Sequence, residues 1–468
     1  MSPSLDGVTR VHLIGIGGAG MSALARLMIA QGVPVSGSDA KESRRLAALR
    51  ALGAQVHIGH GIECLDGEPG VSVVVASTAI PPTNPEVVEA RRRGLPVWTR
   101  AEALNAVMAG RQPIAIAGTH GKTTTTSMVT VALQACGEDP SFAIGSELQS
   151  SGTNAHWGTG PHFVVEADES DGSFLAITPK VAVVTNVEAD HLDHWADLES
   201  IEDAFVRFCA STRDVDGVAV LCADDPGARR VGERVRADGV HVVTYGESAD
   251  ADVRITDPVA GEGGWTFNVI DHGVRRGPVT LQVPGLHNAL NAAAAWTVAS
   301  VLGVSVSEAA EGLAEFTGTQ RRFELRGQVD GIRVYDDYAH HPTEVEVTLR
   351  AAREVAGEGR VIVAFQSHRY TRTSVFARDF GVALGLADEV IVLEVYSAGE
   401  QPIAGASGSV IAAAVPLAAE HVTFEPSMAQ VPRVVAERAR PGDVVLTMGA
   451  GDVGLLAPQI VDVLRERA

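Results

Sequence analysis

The side chains with the clearest chemical potential lie in Gly118-Thr119-His120-Gly121-Lys122-Thr123-Thr124. This stretch stands between an apolar run, Pro113 to Ala117, and a segment from Ser127 to Leu133 with apolar residues at helical spacing. A phosphate-binding loop needs that order of strand, glycine turn and helix. Glycines admit a phosphate to the backbone, the helix start offers unpaired N–H groups, Lys122 supplies charge, and the Thr123 hydroxyl can reach Mg2+. The ligand for such a loop is a nucleoside triphosphate. The spacing departs from G-x-x-x-x-G-K-[ST], because Ile116 stands where the first glycine belongs, so the cradle is a shortened variant.

Two polar clusters follow at strand ends. The run His162 to Val165 leads into Glu166, Asp168, Glu169 and Asp171, hard oxygen ligands that suit Mg2+, with an acidic surface loop as the plain alternative. After Val181 to Asn186 come Glu188, Asp190, His191, Asp193 and His194. They can bind a metal or simply form a turn of solvated side chains, and no cysteine completes a zinc set. His287 and Asn288 open an alanine-rich helix whose start can contact a base or a phosphate, although capping alone would explain Asn288. Nearer the C-terminus, strand Ile332 to Tyr335 precedes Asp336-Asp337-Tyr338-Ala339-His340-His341-Pro342, and strand Arg360 to Phe365 precedes His368-Arg369-Tyr370-Thr371-Arg372. Arg369 and Arg372 can clamp a carboxylate with forked hydrogen bonds, or serve as structural ion-pair partners.

The elements that position these groups read as α/β throughout. At the N-terminus a strand from Val11 runs into Gly15-Ile16-Gly17-Gly18-Ala19-Gly20, which fits G-x-G-x-x-G. A helix from Ser22 to Gln31 and a strand from Val33 to Ser38 follow, with Asp39 at the strand's end. A helix start behind glycines binds any pyrophosphate and the acid any sugar hydroxyl, so NAD and a UDP-sugar both fit. Strand Val71 to Ser77, a helix through Arg91, Arg92 and Arg93, and strand Leu95 to Trp98 continue the pattern, with the three arginines read as a solvated face. One boundary falls near Gly110 to Pro113, and a third domain begins near Gly318 to Glu324. Residues from about 213 to 283 read as short strands and turns, and the turn from Met448 to Gly454 as a strand-to-helix connection, neither with a catalytic pattern.

A chain of 468 residues exceeds one core, so two or three domains are expected. A net charge of -21 argues against nucleic acid or an anionic membrane as the main partner, while a local cationic pocket can still hold phosphates. Cys64, Cys136, Cys209 and Cys222 show no C-x-x-C or metal spacing and read as reduced, structural thiols. No apolar segment reaches membrane-spanning length and no secretory leader pattern is present, so a cytoplasmic location is expected.

Taken in order, Gly15 to Gly20, Gly118 to Thr124, Glu166 to Asp171, Asn186 to His191, His287-Asn288, Arg321-Arg322-Phe323-Glu324, Asp336 to Pro342 and His368 to Arg372 resemble the Mur ligases of peptidoglycan synthesis, and most closely their alanine-adding branch. The resemblance implies an α/β chain of three domains: a Rossmann-like UDP-sugar domain (1–111), a central P-loop ATPase-type domain (112–318) and a Rossmann-like amino-acid domain (319–468). It implies ATP and Mg2+, with Mn2+ as a substitute, and the joining of L-alanine to the lactyl carboxylate of UDP-N-acetylmuramate through an acyl phosphate.

Roles follow by matching motifs. Gly118, Thr119, His120, Gly121, Lys122, Thr123, Thr124, His287, Asn288, Arg321 and Asp337 would hold ATP, and Thr123, Glu166 and His191 the metal. Gly17, Gly18, Ala19, Gly20, Ser38, Asp39, Ser77 and Thr78 would take the UDP-sugar; Tyr338, His340, Arg369 and Arg372 would position the carboxylate and the amino acid. Lys122, Glu166, His191, His340 and Arg369 form the implied catalytic set. Sister ligases carry a modified lysine about fifteen positions after the metal histidine; here Phe205 and Val206 stand there, so none is expected. The competing readings are a ligase that joins a preformed murein tripeptide to the same UDP-sugar, a nicotinamide-dependent oxidoreductase, which leaves Lys122, Glu166 and His191 idle, and a nucleotide-operated switch, which leaves the C-terminal arginines idle.

Overall fold

The computed structural model describes residues 3–467 apart from Thr78, Leu192, Asp193 and Glu262. Thr78 and Asp193, both singled out above, therefore lie outside the described residues. The N-terminal sheet is parallel, in the order Gln55–Ile58, Val35–Asp39, Val11–Ile14, Val73–Ala76, Val97–Thr99. Val11–Ile14 is buried throughout, as a central parallel strand covered on both faces must be. The strand order reverses between Val11–Ile14 and Val73–Ala76, so the switch point, where α/β sheets collect ligands, falls beside the Gly15 to Gly20 turn.

The central sheet has ten strands, in the order Val274–Leu281, Gly264–Asp271, Val253–Gly261, Val242–Gly246, Val218–Cys222, Val181–Val184, Gln112–Ala117, His162–Glu166, Ser141–Ala143, Ala155–His156; from Val253–Gly261 to Ser141–Ala143 the pairs are parallel, and the last pair is antiparallel. Ala117 pairs with Val184 and Ile116 with Glu166, so three chemistry-bearing strand ends lie side by side. The helix after the loop is Lys122–Ala135 and starts five residues before the expected Ser127. Four consecutive threonines weigh against helix by propensity; of their hydroxyls Thr126 bonds back to Lys122 O and Thr125 donates to Asn291 Oδ1 at 3.1 Å, while further along Ser127 bonds back to Thr123 O and Thr130 to Thr126 O. That satisfies them where burial removes water. The first helix likewise begins early, at Ala19–Ala30.

The region read as short strands and turns also departs from expectation. It contains the helix Pro226–Ala237, capped by Asp225 with proline in its first turn, and the long strands Val253–Gly261, Gly264–Asp271 and Val274–Leu281. The third sheet begins with the antiparallel pair Glu324–Val329 and Ile332–Asp337. Parallel strands Val444–Met448, Val361–Phe365, Glu389–Val392 and Val422–Phe424 follow in that order across the sheet.

Packing divides the chain into two compact units. One is Met1–Thr256 with Asn268–Val279 and Leu290–Glu315; the other is Asp257–Phe267 and Thr280–Ala289 with Phe316–Ala468. The first unit holds the N-terminal sheet and the central strands from Val242–Gly246 to Ala155–His156, and the third sheet belongs to the second. Among the described residues no helix is long and apolar enough to cross a membrane.

Candidate active site

In the first unit the phosphate loop is fastened from the strand beside it. Asn186 accepts from the His120 N–H at 2.7 Å through Oδ1 and donates to the His120 carbonyl at 3.1 Å through Nδ2. Thr185 Oγ1 donates to the same carbonyl at 2.6 Å, and Thr119 Oγ1 accepts from the Glu188 N–H at 2.9 Å. Gly118 is required by this closeness: its φ is +136°, and a Cβ there would stand 2.0 Å from Thr185 Oγ1. Lys122 Nζ donates to the carbonyls of Gly118 (2.6 Å) and Thr119 (3.2 Å) and pairs with Glu169 Oε1 at 2.9 Å.

Burial opposes charge on Lys122, but Glu169, Asp168 and Glu166 outweigh it and hold its pKa above the ordinary lysine value. Burial pushes Glu169 up to about 7 against the pull of Lys122. Burial also works against the Asp168 carboxylate, yet Lys122, the Ser170 N–H and Arg100 keep its pKa low. Glu166 Oε1 accepts from the Gly145 N–H at 2.8 Å. His191 has a φ of +53°, with Nε2 3.5 Å from Asp190 Oδ2. Glu169 Oε2 is buried without a hydrogen-bond partner among the described residues. The hard oxygens here, the Glu166 and Asp168 carboxylates, the unpartnered Glu169 Oε2 and the Thr123 hydroxyl, are of the kind that suits Mg2+ or Mn2+.

The N-terminal glycine turn belongs to the same unit. Asp39 Oδ2 accepts from the Gly17 N–H at 2.9 Å, so turn and acid are brought together. A Cβ on Gly17 would lie 2.8 Å from that oxygen and 3.2 Å from Leu46 Cδ2. Ser38 is fully buried, and its hydroxyl donates inward to Glu86 Oε2 at 2.8 Å. Ser77 Oγ accepts from the Ala79 N–H at 3.2 Å, closing the loop after its strand. The central region reaches the turn directly: Asn154 Nδ2 donates to Ala19 O at 3.0 Å. A Cβ on Gly20 would stand 3.2 Å from Arg100 Cδ, and Arg100 Nη2 lies 3.9 Å from Asp168 Oδ2. Glycine turn, Arg100, Asp168, Glu169 and Lys122 thus form one continuous path.

In the second unit Arg321, at φ +59°, bonds Asp336 Oδ2 at 2.8 Å and the Gly449 carbonyl at 2.8 Å. Its guanidinium stands 5.1 Å, and that of Arg322 5.4 Å, from the centre of the Tyr338 ring. Asp337 is buried and accepts from the N–H groups of Phe323 (2.8 Å) and Ala339 (2.7 Å). Burial pushes its pKa up to about 6. Burial, with Arg322 nearby, pushes His287 down to about 4. Asn288 donates to Pro284 O at 2.7 Å, so its amide does fasten the helix start. Tyr338 and His340 rings lie 5.3 Å apart, His340 and His368 6.3 Å, and His368 stacks on Tyr396 at 5.5 Å and 11°. Arg369 has a φ of +72° and approaches Glu400 Oε1 at 3.8 Å; Arg372 is buried.

Several contributors were not singled out from sequence. Asn186 stands inside a motif that was, and its position at a strand end was the usable signal. Arg100, His60, Glu86, Tyr396 and the Gly449 carbonyl carry no spacing signal of their own; only the fold brings them to these clusters.

Fold and site together define a class: a three-domain α/β protein with a lysine-bearing phosphate loop on one sheet, a glycine turn on another and an arginine-rich cluster on the third. The chain belongs to the Mur ligase family. Residues 10–112 match the family's catalytic domain, 116–299 the Mur ligase middle domain, and 321–451 the glutamate ligase domain. It is similar to the UDP-N-acetylmuramate–L-alanine ligase of Acidothermus cellulolyticus, at 58% identity over 99% of this chain and 96% of that protein. The enzyme of the same name from Saccharopolyspora erythraea is 53% identical over 98% and 95%. Among solved structures, the UDP-N-acetylmuramate-alanine ligase of Thermotoga maritima aligns with a TM-score of 0.83 at 30% identity, covering 98% of this chain and 100% of its own. A murein peptide ligase from Psychrobacter arcticus aligns at 0.71 and 26% identity, over 97% and 98%.

Proposed function

We propose that this chain is an ATP-dependent, amide-forming ligase that joins L-alanine to the lactyl carboxylate of UDP-N-acetylmuramate, in the cytoplasm, as a step of peptidoglycan precursor synthesis. A carboxylate oxygen attacks the γ-phosphorus of ATP and the bond to ADP breaks. The amine of L-alanine then attacks the acyl phosphate carbon, phosphate leaves, and the amine gives up a proton as the amide forms. Lys122 and the loop N–H groups neutralise charge on the transferred phosphoryl group. His287, Asn288, Arg321 and Asp337 hold the rest of the nucleotide, and Gly17 to Gly20 with Asp39 take the UDP group. Tyr338, His340, Arg369 and Arg372 orient the carboxylate and the amino acid. Thr123, Glu166 and His191 would hold Mg2+, which supplies charge neutralisation between the two anions. Domain boundaries at 111/112 and 318/319 go with this reading.

The observation that carries it is the path of contacts within one compact unit from the Gly17 to Gly20 turn through Arg100 and Asp168 to Glu169 and Lys122. Two anionic ligands held at its ends would share one run of charged side chains, which a reaction between them needs and a hydride transfer does not. Alanine is favoured over a tripeptide by the curated relatives, whose names specify L-alanine, and by the higher TM-score to the alanine ligase than to the peptide ligase. The test supplies ATP, Mg2+ and UDP-N-acetylmuramate with L-alanine and a murein tripeptide in competition. ADP release that needs both the UDP-sugar and the amino acid, with a product heavier by one alanyl residue, is the expected result. ADP release indifferent to the UDP-sugar, or a tripeptide product, would refute it.

A further inference from the structure

Beneath the N-terminal glycine turn lies an ionisable cluster that the reading above does not use. Glu86 is fully buried in the first turn of the helix Pro85–Arg92. One of its oxygens lies 2.7 Å from His12 Nε2 and accepts from Ser38 Oγ at 2.8 Å; the other lies 3.0 Å from His60 Nδ1. His12 is fully buried as well, and its Nδ1 lies 2.9 Å from Ser36 Oγ. Burial disfavours the Glu86 charge, but hydrogen bonds from His12, Ser38 and His60 outweigh it and keep its pKa below the ordinary value. The helix start adds a favourable dipole, and the Glu86 N–H is itself met by Asn84 Oδ1 at 2.9 Å.

A carboxylate this deep is costly to bury, and replacing such a whole cluster by apolar side chains of similar volume is often neutral or stabilising, so stability alone does not account for it. Its partners give it a use. Ser38 adjoins Asp39, the residue that holds the Gly17 N–H. His60 follows Gly59, whose N–H donates to Asp39 O at 2.8 Å. His60 is 25% exposed, and with Nδ1 facing the carboxylate its other polar atom is Nε2, an acceptor in the neutral ring. Residues of two strand ends, one strand interior and a helix start therefore meet on one carboxylate. We infer that Glu86 is a positioning residue of the UDP-sugar site, holding His60 and the Ser38–Asp39 strand end at the rim of the glycine turn. This rests on the assignment of that turn to the UDP group.

Glu86→Gln keeps the volume but sets an amide N–H against a donor. The experiment titrates UDP-N-acetylmuramate by calorimetry into the wild-type chain, Glu86→Gln, His60→Ala and the double variant, and measures the KM for ATP in each. We expect each single change to weaken UDP-sugar binding about ten-fold, the double variant to be no weaker than the singles, and the KM for ATP to stay put. UDP-sugar affinity unchanged in Glu86→Gln, losses that add in the double variant, or equal loss for both nucleotides would overturn it. Because His60 is partly exposed, His60→Ala decides the matter alone if Glu86→Gln does not fold: unchanged affinity rejects the proposal. A wild-type chain that fails to bind the UDP-sugar rejects instead the assignment of the turn, and this proposal with it.

Discussion

The charged centres of the two compact units are built with opposite balances. Around Lys122 the carboxylates of Glu166, Asp168 and Glu169 outnumber the one cation they surround, and they hold its charge in place. Around Tyr338 and His368 the guanidinium groups of Arg321, Arg322, Arg369 and Arg372 gather on a set of rings, and burial beside them pushes His368 down to about 4. A carboxylate-rich centre with a single lysine suits a metal cation and the phosphate it accompanies. An arginine-rich centre whose His287 and His368 imidazoles are held low suits a carboxylate, because there the positive charge comes from groups that do not titrate. On the proposed reading, the first centre meets a phosphate and its metal and the second a carboxylate.

The comparison breaks most visibly at Lys122. Replacing it with alanine removes the one cation in the loop and leaves Glu169 buried beside Asp168, so Glu169 takes up a proton rather than stand as an unpaired charge. Acyl phosphate formation should fall about 10^3-fold while UDP-sugar binding stays. The double variant Lys122→Ala with Glu169→Gln should recover thermal stability and none of the rate. Near-normal turnover in either protein would strip Lys122 of its assigned role.

On the arginine side the effect is smaller and specific to one substrate. Arg372 is buried, so a lysine there keeps the charge and loses the forked donor geometry. Arg372→Lys should raise the KM for L-alanine about ten-fold and leave the KM for ATP and for the UDP-sugar within about two-fold. Steady-state kinetics with each substrate varied in turn reads this, and a loss spread evenly over all three would mean that Arg372 is structural.

The sheets and their glycine turns were legible because strand, glycine and helix start announce themselves locally: Val11 into Gly15, Ala117 into Gly118, Met448 into Gly449. Helix starts were harder. Lys122–Ala135 begins in a threonine run whose propensity argues against it, and burial of that run in the fold outweighs the propensity while back-bonding keeps the Thr126 and Ser127 hydroxyls satisfied. Candidate site residues inside a motif, such as Lys122, Glu166 and Arg372, stand out in the sequence itself. Residues that act across strands could not, because Arg100 beside Asp168, Glu86 beneath Ser38 and Tyr396 under His368 are distant in sequence and carry no spacing of their own. Ser38 shows the limit from the other side: its place at a strand end suggested a ligand contact, and its hydroxyl is turned inward to a carboxylate that no local pattern revealed.

The finest difference between the two centres should appear in the acid titration of stability. His287 and His368 both move from the ordinary 6.5 to about 4. Burial is the first cause in each, reinforced by Arg322 for His287 and by Arg372 and Arg369 for His368. Their folded pKa lies below the unfolded one, so between pH 6.5 and 4 the unfolded chain binds more protons. The stability they contribute is complete above pH 6.5 and is lost as the pH falls toward 4. Asp337 runs the other way: burial pushes it from 3.8 to about 6, so the folded chain holds the extra proton there and acid relieves its penalty. With two histidines against one aspartate, the net slope from this centre is about one proton, or about 1.4 kcal/mol per pH unit. Urea midpoints from pH 7 to 4.5, followed by circular dichroism, should lose about one proton of slope in His287→Asn and again in His368→Asn, and a slope unchanged in both would place those rings in water.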